Sequence, residues 1–231
     1  VLVASRNGRP RLRLSMMLHP DVALQKDFWK YSLPVLGNEL VWGCGFTMYT
    51  VIMGHLGTDA VAANSIANIV KDLLVCLSLG LGNAGGILVG NLLGRNAFDQ
   101  AKVMGDRLCV LVAAVGVGTG LLIIAARPLA LQWAGLTPQA TRYLSVMLFI
   151  CAYYAACGCM ANLTIAGIFP AGGDSRFGLV CDASVMWLVV VPVGLLAAFV
   201  WKLPVLAVYA LLNTDECIKM IPALLHYRKY R

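Results

Sequence analysis

One carboxylate, Glu39, lies inside Ser32–Gly57, an apolar stretch that is long enough to cross a membrane. A spanning helix needs roughly 20 apolar residues, and an ionisable side chain inside one is costly enough to be a functional candidate. The functional interpretation is a carboxylate that faces an aqueous cavity and meets a cation or a substrate group there. The alternative is a carboxylate near the helix entrance that reaches toward headgroup water.

Polar and aromatic residues accompany Glu39 on the same stretch. Asn38 is its neighbour in sequence, and Trp42 and Phe46 follow at i+3 and i+7, which places them on the same face of a helix. Trp42 would offer aromatic surface to a cationic substrate. The stretch therefore predicts a helix whose polar and aromatic stripe faces a cavity.

A second polar stripe lies on the next apolar segment. Asn64, Asn68 and Asp72 recur at i, i+4 and i+8, with Lys71 beside Asp72. This face either pairs with neighbouring helices inside the bundle or lines a transport path. Adjacent residues on a helix point roughly 100° apart, so we expect Lys71 and Asp72 to pair with other helices rather than with each other.

Other candidate residues lie further along the chain. Tyr154 could stack on a flat organic cation, although a tyrosine in the core is the alternative. Asp182 is expected near the cytoplasmic face, where water would solvate it, and ranks below Glu39. Asp215 and Glu216 precede Lys219 by four and three residues, so they predict structural ion pairs within one helix.

No catalytic set and no metal site are predicted. Cys157 and Cys159 form a Cys-Gly-Cys triplet, but no histidine or second cysteine pair accompanies it at the spacing of a zinc site. The cysteines are interpreted as small apolar residues of the helix bundle.

The elements that hold these residues are predicted to be membrane helices. The 231 residues are 60% hydrophobic and 13% charged, whereas charged residues make up roughly a quarter of a soluble domain. The fold class is therefore all-α and polytopic, with six spans: Leu33–Leu56, Ala62–Leu92, Leu108–Ala126, Leu144–Phe169, Leu179–Val200 and Leu203–Leu225.

Domain boundaries follow from these spans. Residues 1–31 are predicted to be a cytoplasmic connecting segment, with residues 1–5 as a candidate end of a preceding helix. Residues 32–225 form the six-helix membrane lobe, and residues 226–231 form a basic cytoplasmic tail.

The net charge of +7 reflects the membrane side of the basic residues rather than nucleic-acid binding. Most Lys and Arg residues lie before the first span, after the second span and in the tail. The excess of basic residues in cytoplasmic loops places both ends of this chain in the cytoplasm, which agrees with an even number of spans. The lipid bilayer, and no nucleic acid, is the expected partner.

Glycine and proline predict departures from straight helices. The second span contains five glycines between residues 80 and 90, which indicate close helix packing or, alternatively, a hinge. Pro192 lies within the fifth span and predicts a kink there.

Four sequence segments resemble one transporter family in their order and spacing: GNELVWG in the first span, VGNLLGRNAFDQAK after the second, AGGDSRF after the fourth and DECIKMIPALLHYRKY at the end. Together they are similar to the C-terminal half of the multidrug and toxic compound extrusion (MATE) transporters, over Phe28–Arg231. The segment GNLLGRN departs from the commoner Gln-Asn form, which leaves the subfamily open.

The resemblance implies one lobe of a twelve-helix, two-lobe transporter of the cell inner membrane. Such a protein exports small organic cations in exchange for sodium ions or protons, with no other cofactor. Glu39 matches a family carboxylate implicated in coupling, and the match of Asp72 is weaker. An N-terminal six-helix lobe would be the missing partner, and any coupling acid in that lobe cannot be assigned on this chain.

The sequence therefore predicts a multidrug antiporter lobe rather than an enzyme. The residues expected to bind substrate or cation are Asn38, Glu39, Trp42, Asn68, Asp72 and Tyr154. One alternative is a lipid-linked saccharide flippase of the same superfamily, which should have a more basic cavity. A membrane-embedded enzyme would need a cluster of acids and bases or a metal set, and the sequence predicts no such cluster in these spans. An assembly subunit would not need Glu39 and Asp72 within its spans.

Overall fold

A computed structural model of the chain describes residues 22–230. All regular secondary structure in this range is helical, as the all-α membrane fold predicts. We label the helices α1 (Val22–His55), α2 (Thr58–Gly94), α3 (Phe98–Trp133), α4 (Pro138–Ala171), α5 (Ser175–Val200), α6 (Val205–Leu212) and α7 (Asp215–Tyr230). The predicted helix end at residues 1–5 and the last tail residue lie outside the described range.

Four helical stretches within residues 22–230 are long and apolar enough to cross a membrane, by length and composition alone. They are Cys76–Gly94, Phe98–Trp133, Pro138–Ala171 and Ser175–Val200. The helix α1 forms one further pass, and α6 together with α7 forms another, although neither is among these four candidate spans. The six predicted spans therefore correspond to six helical passes. The protein is therefore a multi-pass membrane protein, with an approximate count of six passes.

Helix α1 includes part of the segment that was predicted to be a connection. It is helical from Val22, so residues 22–31 continue into the first predicted span without a break. The helix ends at His55, and Gly57 makes the turn into α2 with φ of +113°, a backbone conformation that favours glycine. Hence α1 and α2 are neighbours joined by two residues.

Glycines on α2 allow its backbone to approach α4 closely. A Cβ atom placed on Gly86 would lie 2.8 Å from the carbonyl oxygen of Gly167, and one placed on Gly167 would lie 2.5 Å from that of Gly82. A larger side chain at these positions would push the two helices apart. The packing interpretation is confirmed, and α2 is not broken in this structure, because it runs without interruption from Thr58 to Gly94.

Helices α4 and α5 contain π-helical turns. In α4 the π-helical segment is Asn162–Ile168, and in α5 there are two, Ser184–Val190 and Leu196–Val200. Pro192 follows the first π-helical segment of α5, where the changed hydrogen-bond register accommodates a residue without a backbone N–H. Both helices remain continuous.

The sixth predicted span, Leu203–Leu225, is wrong as a single helix. The chain leaves helix α6 after Leu212 and begins α7 at Asp215. Side chains at the break donate to carbonyl groups of the last turn of α6: Asn213 Nδ2 donates to Tyr209 O at 2.9 Å, and Thr214 Oγ1 donates to Ala210 O at 2.9 Å. Asn and Thr compete with the helical backbone in this way, which explains why the helix breaks at this pair.

Candidate functional site

A cavity of about 610 Å³ opens among all helical passes except α3. All six residues predicted to bind substrate or cation line it: Asn38, Glu39, Trp42, Asn68, Asp72 and Tyr154. Its charged lining residues are five acids and two lysines, namely Glu39, Asp72, Asp182, Asp215, Glu216, Lys71 and Lys219. Because acids outnumber lysines, the cavity suits positively charged ligands.

Helix α1 supplies an acid and an aromatic pair to this cavity. Glu39 is exposed, and its carboxylate makes no hydrogen bond or ion pair with the described part of the chain. The Trp42 and Phe46 rings stack with centroids 5.7 Å apart and an angle of 14° between their planes. Asn38 Oδ1 is buried and has no hydrogen-bond partner among the described residues. The stripe predicted from residue spacing therefore lies on the cavity wall with unused polar groups.

Helix α2 contributes a polar face whose two charged residues differ sharply. Asn64 is buried and Asn68 is half-buried, as a polar stripe inside a bundle requires. Lys71 is only 7% exposed, whereas Asp72 is exposed to the open part of the cavity. Of the two alternatives for this face, packing inside the bundle describes Lys71, whereas Asp72 is exposed at the cavity. The two side chains form no ion pair with each other.

Two aromatic rings lie near the ammonium group of Lys71. Its Nζ lies 4.6 Å from the centroid of Tyr154 on α4 and 5.9 Å from that of Phe46 on α1. Both distances fall within the range of roughly 6 Å at which a cation is attracted to a ring face. Lys71 thus connects three helices through cation–π contacts, rather than through the interhelical ion pair that its position suggested.

A second lysine holds three carboxylates together. Lys219 Nζ lies 3.0 Å from Asp182 Oδ1, 3.1 Å from Glu216 Oε1 and 3.4 Å from Asp215 Oδ2, and Lys219 is 1% exposed. The predicted pairs within the helix are confirmed. The expectation that water solvates Asp182 is wrong, because this residue is buried and joins the cluster from α5. We call these four residues the Lys219 cluster.

The break between α6 and α7 positions the Lys219 cluster. Asp215 and Glu216 occupy the first turn of α7, where carboxylates interact favourably with the positive end of the helix dipole. Lys219 follows one turn later on the same face and reaches Asp182 on α5. Asp215 Oδ1 and the hydroxyl group of Tyr49 on α1 are both buried, form no close hydrogen bond within residues 22–230, and interact with each other.

Sequence reasoning missed that this cluster belongs to the cavity. The spacing of Asp215, Glu216 and Lys219 showed the helical pairs, but Asp182 is 37 positions from Lys219 and no pattern links them. The expectation that no acid and base cluster lies in the spans is therefore wrong. Within residues 22–230 no group of three or more His, Cys, Asp or Glu residues is arranged to hold a metal ion.

Comparison with known proteins places this architecture in one family. The family model MatE matches residues 34–196, which is well over half of the chain. The NorM protein of Neisseria meningitidis serogroup B, named a probable multidrug resistance protein, is 28% identical over 105 residues, covering 46% of this chain and 23% of that protein. The Arabidopsis thaliana protein DETOXIFICATION 38 is 25% identical over 200 residues, covering 80% of this chain and 37% of that protein.

The fold is also similar to a solved transporter structure. A MOP superfamily transporter from Pyrococcus furiosus superposes with a TM-score of 0.73 at 14% identity, covering 93% of this chain and 47% of that one. The chain spans about half the length, or less, of the relatives that it matches. From the family match and the shared fold, we conclude that the chain belongs to the MatE family of multidrug and toxic compound extrusion transporters.

Proposed function

We propose that this chain forms one lobe of a multidrug efflux transporter of the cell inner membrane, with both of its ends in the cytoplasm. The transporter exports small organic cations in exchange for sodium ions or protons. A second six-helix lobe completes the cavity. Relatives named as multidrug resistance proteins support the efflux of drugs, and the acid-rich, aromatic cavity supports cationic substrates.

The charge and shape of the cavity carry this proposal. Five acids and two lysines give its lining an excess of negative charge, and Trp42, Phe46 and Tyr154 add ring faces that attract cations. A lipid-linked saccharide with an anionic phosphate link would need a positive lining instead. We therefore favour organic cations over the flippase alternative.

In this mechanism Glu39 is the coupling carboxylate. Its side chain is open to the cavity and has no partner in the described part of the chain, so a proton, a sodium ion or a substrate cation can reach it. These ligands compete for one negative charge, and a rocking motion of the two lobes would expose that charge to each side of the membrane in turn. Asn38, Asn68 and Asp72 would contact the substrate from the same cavity.

The test is ion-driven ethidium efflux from cells that express the complete transporter. We expect Glu39→Gln to reduce efflux at least about tenfold at an unchanged expression level, because the amide cannot exchange charge. Asp99→Asn is the matched control, since Asp99 lies in the first turn of α3 and does not line the cavity. Undiminished efflux by Glu39→Gln would refute the coupling role, whereas absence of ethidium efflux in the wild type would refute the export of organic cations.

A further inference from the structure

The ammonium group of Lys71 lies near the aromatic side chains that line the cavity. The Lys71 ammonium group lies 4.6 Å from the ring centroid of Tyr154 and 5.9 Å from that of Phe46, and the Phe46 ring also stacks on Trp42. These rings are the surfaces on which an organic cation would bind. Lys71 therefore occupies the place where the positive charge of such a ligand would be most favourable.

Lys71 is buried but has none of the partners that usually hold a buried lysine. It is 7% exposed, and its ammonium group makes no hydrogen bond or ion pair with residues 22–230. A buried ammonium group usually requires an opposite charge close by, as Lys219 has. The ammonium group of Lys71 is held by cation–π contacts, and a ligand cation could form the same contacts in its place.

A position to which Lys71 could move lies in the same cavity. Asp215 Oδ1 is buried near the hydroxyl group of Tyr49 and forms no close hydrogen bond within residues 22–230, while the other carboxylate oxygen, Oδ2, lies 3.4 Å from Lys219 Nζ. The Asp215 carboxylate also interacts electrostatically with Lys71, although the two form no ion pair. The lysine side chain has four rotatable carbon–carbon bonds and a mobile ammonium group. Displacement from Tyr154 toward Asp215 would exchange a cation–π contact for an attraction to a carboxylate.

We propose that Lys71 is a tethered cation that competes with the organic cation substrate for the faces of Tyr154 and Phe46. Substrate binding displaces the ammonium group toward Asp215, and the competition sets the affinity and the charge selectivity of the cavity. This inference rests on the proposed function, because it requires that the cavity binds organic cations.

The proposal predicts that loss of Lys71 strengthens binding. Lys71→Met keeps an unbranched side chain of similar length, removes one positive charge from the cavity and frees the ring of Tyr154. The gain should be selective for charged ligands, because a neutral aromatic ligand of similar shape neither competes with the ammonium group nor responds to the cavity charge. Lys71→Arg keeps both the charge and the ring contact, so it should behave as the wild type does.

The experiment measures equilibrium binding by titration calorimetry, with the complete transporter purified in lipid nanodiscs. The charged probe is tetraphenylphosphonium, whose charge does not titrate, and the neutral probe is triphenylphosphine oxide. For Lys71→Met we expect tetraphenylphosphonium to bind about tenfold more tightly and the neutral probe to change less than about twofold. A thermal unfolding curve confirms that each variant is folded, and Lys71→Gln replaces Lys71→Met if the latter is not.

A double-mutant cycle with Tyr154 separates competition from a general change in charge. Tyr154→Leu should weaken tetraphenylphosphonium binding by less than about twofold in the wild type, where Lys71 occupies the ring, and by about tenfold in the Lys71→Met background. Equal losses in the two backgrounds would overturn the competition.

Two further outcomes distinguish this inference from the function on which it rests. If the wild type binds tetraphenylphosphonium and folded Lys71→Met binds it equally or less tightly, the tethered-cation role is wrong and the proposed function stands. If the wild type binds no organic cation at all, both are wrong.

Discussion

Two lysines lie buried in this membrane lobe, and their surroundings are opposite in kind. Lys219 touches three carboxylates within 3.4 Å, whereas Lys71 touches aromatic rings and forms no ion pair with the described residues. The Lys219 cluster carries more negative than positive charge, and Lys71 is a positive charge without a close negative one. We therefore expect Lys219, which is paired with carboxylates, to stabilise the fold. We expect Lys71, which contacts rings that a ligand cation could also contact, to take part in binding.

The backbone explains why the two lysines differ. Lys219 follows the break at Asn213 and Thr214, so the first turn of α7 presents Asp215 and Glu216 on the same face as the lysine. Lys71 lies inside the unbroken helix α2, where it forms no ion pair with its neighbour Asp72 and no acid lies one turn away. The local sequence of α7 supplies two carboxylate partners for Lys219. The partners of Lys71 are aromatic rings on the neighbouring helices α1 and α4.

Loss of Lys219 should have the largest effect on stability. Lys219→Met leaves three buried carboxylates without their cation, and breaking a buried ion pair in this way costs about 3–5 kcal/mol. The measurement is thermal unfolding of the complete transporter in detergent, together with the yield of folded protein. A variant that also carries Asp182→Asn, Asp215→Asn and Glu216→Gln is the control and should recover much of the loss. A wild-type unfolding temperature for Lys219→Met alone would contradict the structural role of the cluster.

The helix break should be the next most sensitive feature. Asn213→Ala removes a buried side-chain hydrogen bond to Tyr209 O, which we expect to cost about 1 kcal/mol. The same unfolding assay measures this, and Ala207→Ser on α6 serves as a control away from the break. A stabilised Asn213→Ala variant would indicate that α6 and α7 gain by joining into one helix.

Neutralising one acid of the Lys219 cluster should cost less than removing its lysine. Asp215→Asn leaves Lys219 with two carboxylates and reduces the excess of negative charge, so we expect the free energy of unfolding to change by less than about 1 kcal/mol. Asp182→Asn is the matched comparison on α5. If either substitution destabilises the protein as much as Lys219→Met does, every carboxylate of the cluster is required.

Loss of Lys71 should have the smallest effect on stability. Lys71→Met removes cation–π contacts worth about 0.5–2 kcal/mol, but it also removes the cost of burying an unpaired charge, so the two contributions nearly cancel. Thermal unfolding should therefore differ little between wild type, Lys71→Met and Lys71→Arg. A large loss of stability for Lys71→Met would show that both lysines are structural, and the contrast between them would disappear.

Local sequence patterns correctly predicted the parts of the site that lie within single helices. The spacing of Glu39 and Trp42 placed them on one face of α1, and the spacing of Asp215 and Lys219 predicted their ion pair. Helical periodicity determines these relations, because residues three or four positions apart share a face in any helix. The role of Glu39 in coupling stays a prediction.

The sequence by itself determined that this protein is an all-helical membrane protein with costly charges inside its helices, because composition and periodicity are properties of local segments. Only the tertiary structure decided which charges meet. It brought Asp182 to Lys219, directed Lys71 to Tyr154, left Asp72 exposed and divided the last span at Asn213. These outcomes depend on how the helices pack and rotate against one another, and the spacing of residues along one helix carries no information about that packing.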